Sequence, residues 1–275
     1  MPGIKNLKDK VVVVTGAGSG IGRATAKAFA GEGARMVLAD ISRERLDNLQ
    51  KTLQERDIQA AVFALDVSDK KQVADLAQFT LDTYGRVDII HNNAGIGMGG
   101  PLEVFPLEDW ERIVGVNFWS VVYGVHYFLP HMIRQRSGHI VNTSSAAGYW
   151  GLAGLGAYTA TKHAIIGYSD VLRAEIRRYN IGVTTICPGV IKTSIVHDGK
   201  QTMLPTAKID QKKMAAFYDR FGWSPERVAR AVIKGVKKNR GLVPVSPEAW
   251  VMWYVKRLSE TAYNLFLRIA ARSAW

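Results

Sequence analysis

Apolar runs rich in β-branched residues recur along the chain at intervals that each leave room for one helix, and this alternation limits the fold more than any other feature. VVVVT (11–15), ARMVLAD (34–40), AAVFAL (60–65), VDIIHNN (87–93), GHIVNTS (138–144), GVTTICPG (182–189) and GLVPV (241–245) read as seven strands. The helical pattern lies between them, over about 20–31, 43–56, 70–84, 108–135, 157–179 and 225–239. Continuous apolar strands separated by helices predict an α/β protein whose parallel sheet is covered on both faces. With 275 residues, 47% of them apolar and 22% charged, one large domain can bury such a sheet. No linker or repeat suggests a second one.

Composition excludes several functions. The single cysteine, Cys187, allows no internal disulfide and leaves cysteine-rich metal sites without ligands. No histidine cluster has metal-ligand spacing, so no metal is expected. MPGIKNLKDK is too polar for a secretory leader, and no window reaches the roughly 18 apolar residues of a spanning helix. A cytoplasmic protein is expected. The net charge of +12 comes from basic residues spread along helices beside acids, as in DISRERLDNLQKTLQER, which suits a solvated surface rather than a nucleic-acid partner.

The first strand runs through Thr15-Gly16-Ala17-Gly18-Ser19-Gly20-Ile21-Gly22 directly into a helix. Glycines there permit a tight turn and a close backbone approach, and the helix N-terminus offers free N–H groups to a pyrophosphate. No lysine follows the last glycine as a phosphate-loop hydrolase requires. Asp40 closes the second strand, where a carboxylate would accept hydrogen bonds from ribose hydroxyls and repel a 2′-phosphate, favouring NAD(H) over NADP(H). An aspartate that merely caps the next helix would occupy the same position. Arg35 and Arg43 lie near in sequence, at the far end of the strand and in the next helix.

Tyr158 and Lys162, in YTATK, stand four apart and so share one helical face. A nearby ammonium favours a phenolate and would lower the tyrosine pKa toward the range of an acid/base catalyst. Serine-hydrolase chemistry lacks its glycine-flanked elbow around Ser144-Ser145.

Taken together, these residues resemble the short-chain dehydrogenase/reductase family, of the compact single-domain type, over about residues 8–245. TGAGSGIG matches its cofactor loop and Asn92-Asn93-Ala94-Gly95 its NNAG element. Ser145 precedes Tyr158 by thirteen residues, and Pro188-Gly189 with Thr193 matches the loop that holds the nicotinamide carboxamide. The resemblance implies a Rossmann-like doubly wound parallel sheet in a single domain, about 1–245. It implies cofactor contacts from Gly16, Ser19, Gly20, Ile21, Gly22, Asp40, Asp66, Val67, Asn93, Ala94, Gly95, Tyr158, Lys162, Pro188, Gly189, Ile191 and Thr193. Ser19 and Ile41 stand where NADP-dependent members carry a basic residue.

By the same resemblance, Tyr158 exchanges a proton with the substrate oxygen and Ser145 hydrogen-bonds that oxygen. Lys162 holds the nicotinamide ribose and tunes Tyr158, and Asn117 anchors a water that relays protons. A homodimer or homotetramer is also implied. The loop AAGYWGLAGLGA borders the substrate in this family, so Tyr149, Trp150, Leu152 and Leu155 would make an apolar wall, although Trp150 could instead pack under the loop. The irregular stretch 195–223 is a candidate lid, with Met203 and Phe217 facing the pocket.

The ending, RGLVPVSPEAW and onward, looks more like lipid-, retinol- or steroid-directed members than like acyl-carrier-protein reductases. An oxidoreductase acting on a hydrophobic alcohol or ketone is therefore expected; a non-catalytic dinucleotide sensor or scaffold is the alternative. Residues 246–275 form an amphipathic helical extension, in which Val251, Val255, Leu258, Ala262, Leu265 and Ile269 recur at helical spacing. That stripe is expected to pack on the domain or a subunit partner in preference to an anionic membrane surface.

Overall fold

The valine run becomes β1 (Val11–Thr15), with Val12 and Val14 facing one apolar layer and Val13 the other, so the sheet has a core on each side. The computed structural model describes residues 3–195, 199–201 and 211–274. After β1 come α1 (Gly20–Gly31), β2 (Arg35–Asp40), α2 (Arg43–Gln54), β3 (Ala60–Ala64), α3 (Lys70–Tyr84) and β4 (Ile89–Asn92). The chain continues with β5 (Met98–Gly99), α4 (Leu107–Val114), α5 (Ser120–Gln135), β6 (Gly138–Thr143), α6 (Gly156–Ile176) and β7 (Ile181–Cys187). It ends with β8 (Lys200–Gln201), α7 (Gln211–Phe221), α8 (Pro225–Lys238), β9 (Leu242–Pro244), α9 (Pro247–Leu258) and α10 (Glu260–Ala274).

Seven strands pair in the order β3-β2-β1-β4-β6-β7-β9, all parallel. The chain therefore winds outward from β1 to β3, returns, and winds outward again from β4. The reversal between β1 and β4 opens a crevice at the carboxyl ends of the strands, where such sheets bind ligands. One face carries α1 and α8, which bury Phe29, Val228, Val232 and Val236. The other carries α3, α5 and α6, which bury Leu76, Val125, Phe128, Met132 and Leu172. This is the doubly wound single-domain architecture expected from the sequence.

Three local features differ from the sequence reading. The long helix expected over 108–135 runs without a break from Leu107 to Gln135 but contains a π turn at Gly115–Trp119, which joins α4 to α5 and carries Asn117. A second small sheet pairs β5 with β8, tying the segment after β4 to the candidate lid, and Lys200 Nζ meets Asp109 Oδ1 at 2.8 Å. The C-terminal extension is two helices, because Ser259 takes an extended conformation and its Oγ accepts from the Ala262 N–H at 3.1 Å, capping α10. The break resets the helical phase, so the stripe read across it is not one face. Of the stripe, Val255 packs on the domain with Ala249, Trp253, Tyr263 and Leu267, whereas Val251, Leu258, Leu265 and Ile269 are exposed. No helix among the described residues is long and apolar enough to cross a membrane.

Candidate active site

The glycine loop is shaped by contacts that leave no room for side chains. A Cβ on Gly22 would stand 2.0 Å from the Gly16 carbonyl oxygen and 2.6 Å from Asn93 Nδ2, while Gly16 itself has φ +66°, in the left-handed region. Thr15 joins this loop to the NNAG turn: its Oγ1 accepts from the N–H groups of Asn93 and Ala94 at 3.0 and 3.1 Å, and Asn93 Nδ2 donates to the Thr15 carbonyl. Behind them His91 Nε2 lies 2.8 Å from Thr143 Oγ1. Burial holds its imidazole down to about 3, so it stays neutral and structural.

Asp40 is buried at the end of β2. Its Oδ2 accepts from the Gly18 N–H at 2.9 Å and its Oδ1 from the Ser42 N–H at 3.0 Å. The cap of α2 is Ser42, whose Oγ accepts from the Arg45 N–H, so Asp40 does not serve as that cap. Arg43 pairs with Asp47 at 2.8 Å, and Arg35 faces Asp9 at 3.7 Å, at the far end of its strand. Ile41 is exposed beside Asp40. Asp66 follows β3 and accepts on Oδ1 from the Ser68 N–H and Oγ, next to buried Val67.

An open cleft of about 560 Å³ lies between the N-terminus of α1 and the loop after β7, lined by Ser19, Gly20, Arg23, Lys192, Thr193 and Ser194 among others. Arg23 Nε is buried there with no partner among the described atoms. The Thr193 methyl closes on Gly20, standing 3.1 Å from where a Cβ would be. A glycine cradle, a helix N-terminus, an orphaned guanidinium nitrogen and a carboxylate fixed by the same loop fit an adenosine pyrophosphate. Arg23 and Lys192 escaped the sequence reading because a lone basic residue carries no spacing signal.

The second half of the site gathers on α6. Lys162 is buried, its Nζ 3.1 Å from the Thr143 carbonyl oxygen and 5.5 Å from the centre of the Tyr158 ring. Burial lowers its ammonium to about 8. Burial likewise pushes the Tyr158 phenol up to about 12, against which a hydrogen bond with the Ser145 side chain acts in the opposite direction. Both groups are desolvated, and the Lys162 ammonium is turned to the Thr143 carbonyl.

Ser144 and Ser145, equivalent in the sequence, separate here. Ser144 Oγ donates to the Lys162 carbonyl at 2.7 Å and is buried, whereas Ser145 Oγ lies by Tyr158, donates to the Pro188 carbonyl at 3.4 Å and caps the turn at Ala146–Gly148. Asn117 Nδ2 donates to the Ile96 carbonyl at 3.0 Å and its Oδ1 accepts from the Ile96 N–H at 2.8 Å. It pins the NNAG turn so that Gly95 lies against both Asn117 and Lys162, at 3.2 and 3.5 Å from a notional Cβ. Pro188, Gly189 and buried Ile191 form the loop after β7, where Ile191 pairs with Trp223.

The expected pocket wall is partly elsewhere. Trp150 is buried under α10, its ring 4.9 Å from Tyr263 and 5.0 Å from Phe266, and Leu152 packs in the same cluster. Tyr149 donates to the Ala249 carbonyl at 2.7 Å. Tyr158 instead adjoins an apolar cluster of Met98, Phe105, Ile113 and Ala157, bordered by Ile96 and Trp110. Leu155, half-buried, precedes α6 and bridges to Gly100. Phe217 on α7 is exposed, while Tyr218 is the α7 side chain near enough to Tyr158 for its ionisation to raise that phenol further. Met203 and much of the candidate lid lie outside the described residues. No group of metal-ligating side chains occurs among the described residues.

A family model described as short chain dehydrogenase matches residues 10–204. The chain belongs to the short-chain dehydrogenase/reductase family. A crystal structure of another member, from Burkholderia phymatum in complex with NAD, matches with a TM-score of 0.86 at 30% identity, over 95% of this chain and 96% of that one. Among curated relatives, the probable oxidoreductase EphD of Mycobacterium bovis is 39% identical over 269 residues, covering 95% of this chain but 45% of its own length. This short-chain dehydrogenase thus spans less than half of EphD. The putative oxidoreductase SadH of Mycobacterium tuberculosis is 36% identical over 270 residues, 95% of each chain.

Proposed function

We propose that the protein is an NAD(H)-dependent oxidoreductase that interconverts a hydroxyl and a carbonyl on a hydrophobic substrate, with Tyr158 as general acid/base. The observation that carries this reading is the convergence of Ser145, Tyr158, Lys162 and Asn117 at one end of the strand-end crevice whose other end holds Asp40 and the glycine cradle. The dinucleotide, when bound, supplies or accepts the hydride. Asp40 would hold the adenosine ribose, since its two bonded N–H groups leave lone pairs on both oxygens for hydroxyl donors. Gly16, Gly20, Gly22 and Thr193 would hold the pyrophosphate, and the loop from Pro188 to Thr193 the nicotinamide end.

Tyr158 gives its phenolic proton to a carbonyl oxygen, or takes one from an alcohol, with Ser145 Oγ donating to the same oxygen as charge develops. A phenol at about 12 holds its proton until a partner is present, which suits an acid waiting for a carbonyl. A cation brought beside it, such as Lys162 swung from the Thr143 carbonyl, would favour the phenolate needed for the reverse direction. Asn117 acts as a positioning residue, through its grip on Ile96 next to Lys162. The apolar cluster bordering Tyr158 supports an alcohol or ketone with a hydrocarbon body. Exposed Trp119 and Val171 support assembly with further copies of the chain.

The test follows absorbance of the reduced nicotinamide while the purified protein meets a panel of hydrophobic alcohols with NAD and ketones with NADH. Turnover of at least one member is expected. Tight dinucleotide binding without turnover across the panel would favour a sensor over an enzyme.

A further inference from the structure

The C-terminal helices are joined to the loop after β7 by one carboxylate. Glu248, in the first turn of α9, accepts from the Val190 N–H on Oε1 at 3.1 Å and from Trp223 Nε1 on Oε2 at 3.2 Å. Gly189 makes room for it: a Cβ there would stand 2.5 Å from Glu248 Oε1 and 2.3 Å from Ser246 Oγ. Trp223 is itself paired to the same loop through the backbone, its N–H donating to the Val190 carbonyl and its carbonyl accepting from the Lys192 N–H, both at 2.9 Å. Its indole also lies under the Arg227 guanidinium at 4.2 Å. The neighbouring residue, Ala249, takes the Tyr149 hydroxyl from the other side of the site.

We propose that Glu248 is a positioning residue for the dinucleotide: it fixes Val190, and so the loop that would hold the nicotinamide end, to Trp223 at the foot of α7 and to α9. The inference rests on the reading of the site given above, in which residues 188–193 contact the cofactor. A carboxylate suits the role because it presents one charged acceptor oxygen to each of the two N–H groups, whereas a glutamine amide would turn its NH2 toward one of them. Burial pushes the Glu248 carboxyl up, yet hydrogen bonds from the Ser246 side chain, from its own backbone N–H, from the Val190 N–H and from the Trp223 indole together hold it below the usual carboxylate range. It is therefore ionised at neutral pH, where both bonds are charge-assisted. The helix N-terminus of α9 favours the same charge. The C-terminal extension is thus attached to the loop after β7.

The experiment compares the full-length wild type with E248Q and E248A by NADH fluorescence titration, by kcat and KM for the dinucleotide, and by melting temperature. E248Q keeps one of the two carboxylate oxygens as an acceptor and E248A keeps neither, so the effect is graded. E248A should weaken NADH binding about tenfold and E248Q less, scaled from the loss of charge-assisted hydrogen bonds. The dinucleotide KM should rise more than kcat falls. W223F removes one of the two donors, and its effect should not add to that of E248Q. If E248A fails to fold, E248Q, equal in size, carries the comparison. NADH affinity within twofold of wild type in the folded variants, or a fall in kcat at unchanged KM, overturns the assignment. A wild type that binds no NADH overturns the functional reading itself.

Discussion

Replacing Lys162 with Met should stabilise the protein at neutral pH while disabling the site. Lys162 is 3% exposed, and burial lowers its ammonium from 10.5 to about 8. At about 1.4 kcal/mol per pH unit, the charged side chain penalises the folded state by on the order of 3 kcal/mol. The unfolded chain binds this proton more tightly, so the penalty is complete below pH 8 and is relieved as pH rises from 8 to 10.5. Met removes the charge, but it also removes the hydrogen bond to the Thr143 carbonyl, worth about 1 kcal/mol. Lys162→Met should then exceed the wild type by about 2 kcal/mol at pH 7 and fall level with it or below by pH 10.5. Urea unfolding of both proteins in parallel from pH 7 to 10.5, without dinucleotide, measures this difference, from which other titrating groups cancel. A difference that does not change with pH, or a wild type more stable than the variant at pH 7, would refute the reasoning. A buried ammonium kept at a cost in stability is what a functional site would show.

Two further substitutions probe the two ends of the crevice. Asp40→Ala should weaken NADH binding and shift the NADPH-to-NADH affinity ratio toward NADPH by about tenfold or more, since the repelling carboxylate is gone and Arg45 begins beside Gly18; parallel fluorescence titrations measure it. Ser145→Ala should lower kcat by about a hundredfold at nearly unchanged melting temperature. Ser144→Ala should instead lower stability by about 1–3 kcal/mol, because it strips a buried bond to the Lys162 carbonyl. Turnover and thermal unfolding of the pair separate the two roles.

The sheet could be read from the chain because a buried parallel strand needs little beyond a short β-branched run between turn signals, and VVVVT, RMVLAD and GVTTIC each supply one. The glycine loop was equally legible, since its residues are adjacent and each spacing answers a steric demand. What escaped depends on contacts between distant segments. Glu248 is one acid among 24 in the sequence, and only its approach to Val190 and Trp223 distinguishes it. Nothing in GVNFW marks the π turn that turns Asn117 inward. Trp150 lies within the loop expected to border the substrate but packs against Tyr263 and Phe266, more than a hundred residues away. The α9–α10 break was visible in principle, as Ser259-Glu260 is a helix-start signal, but the longer apolar period obscured it.

The central claim is that a dinucleotide bound in this crevice reacts only through Tyr158, and the paired measurement of NADH binding and turnover in Tyr158→Phe tests it most directly. Phenylalanine keeps the ring against Met98, Phe105 and Ile113 and removes only the hydroxyl shared with Ser145. The account predicts NADH affinity within about threefold of the wild type and turnover reduced to background on every substrate the wild type accepts. A variant that still turns substrate over at a rate near that of the wild type would contradict it.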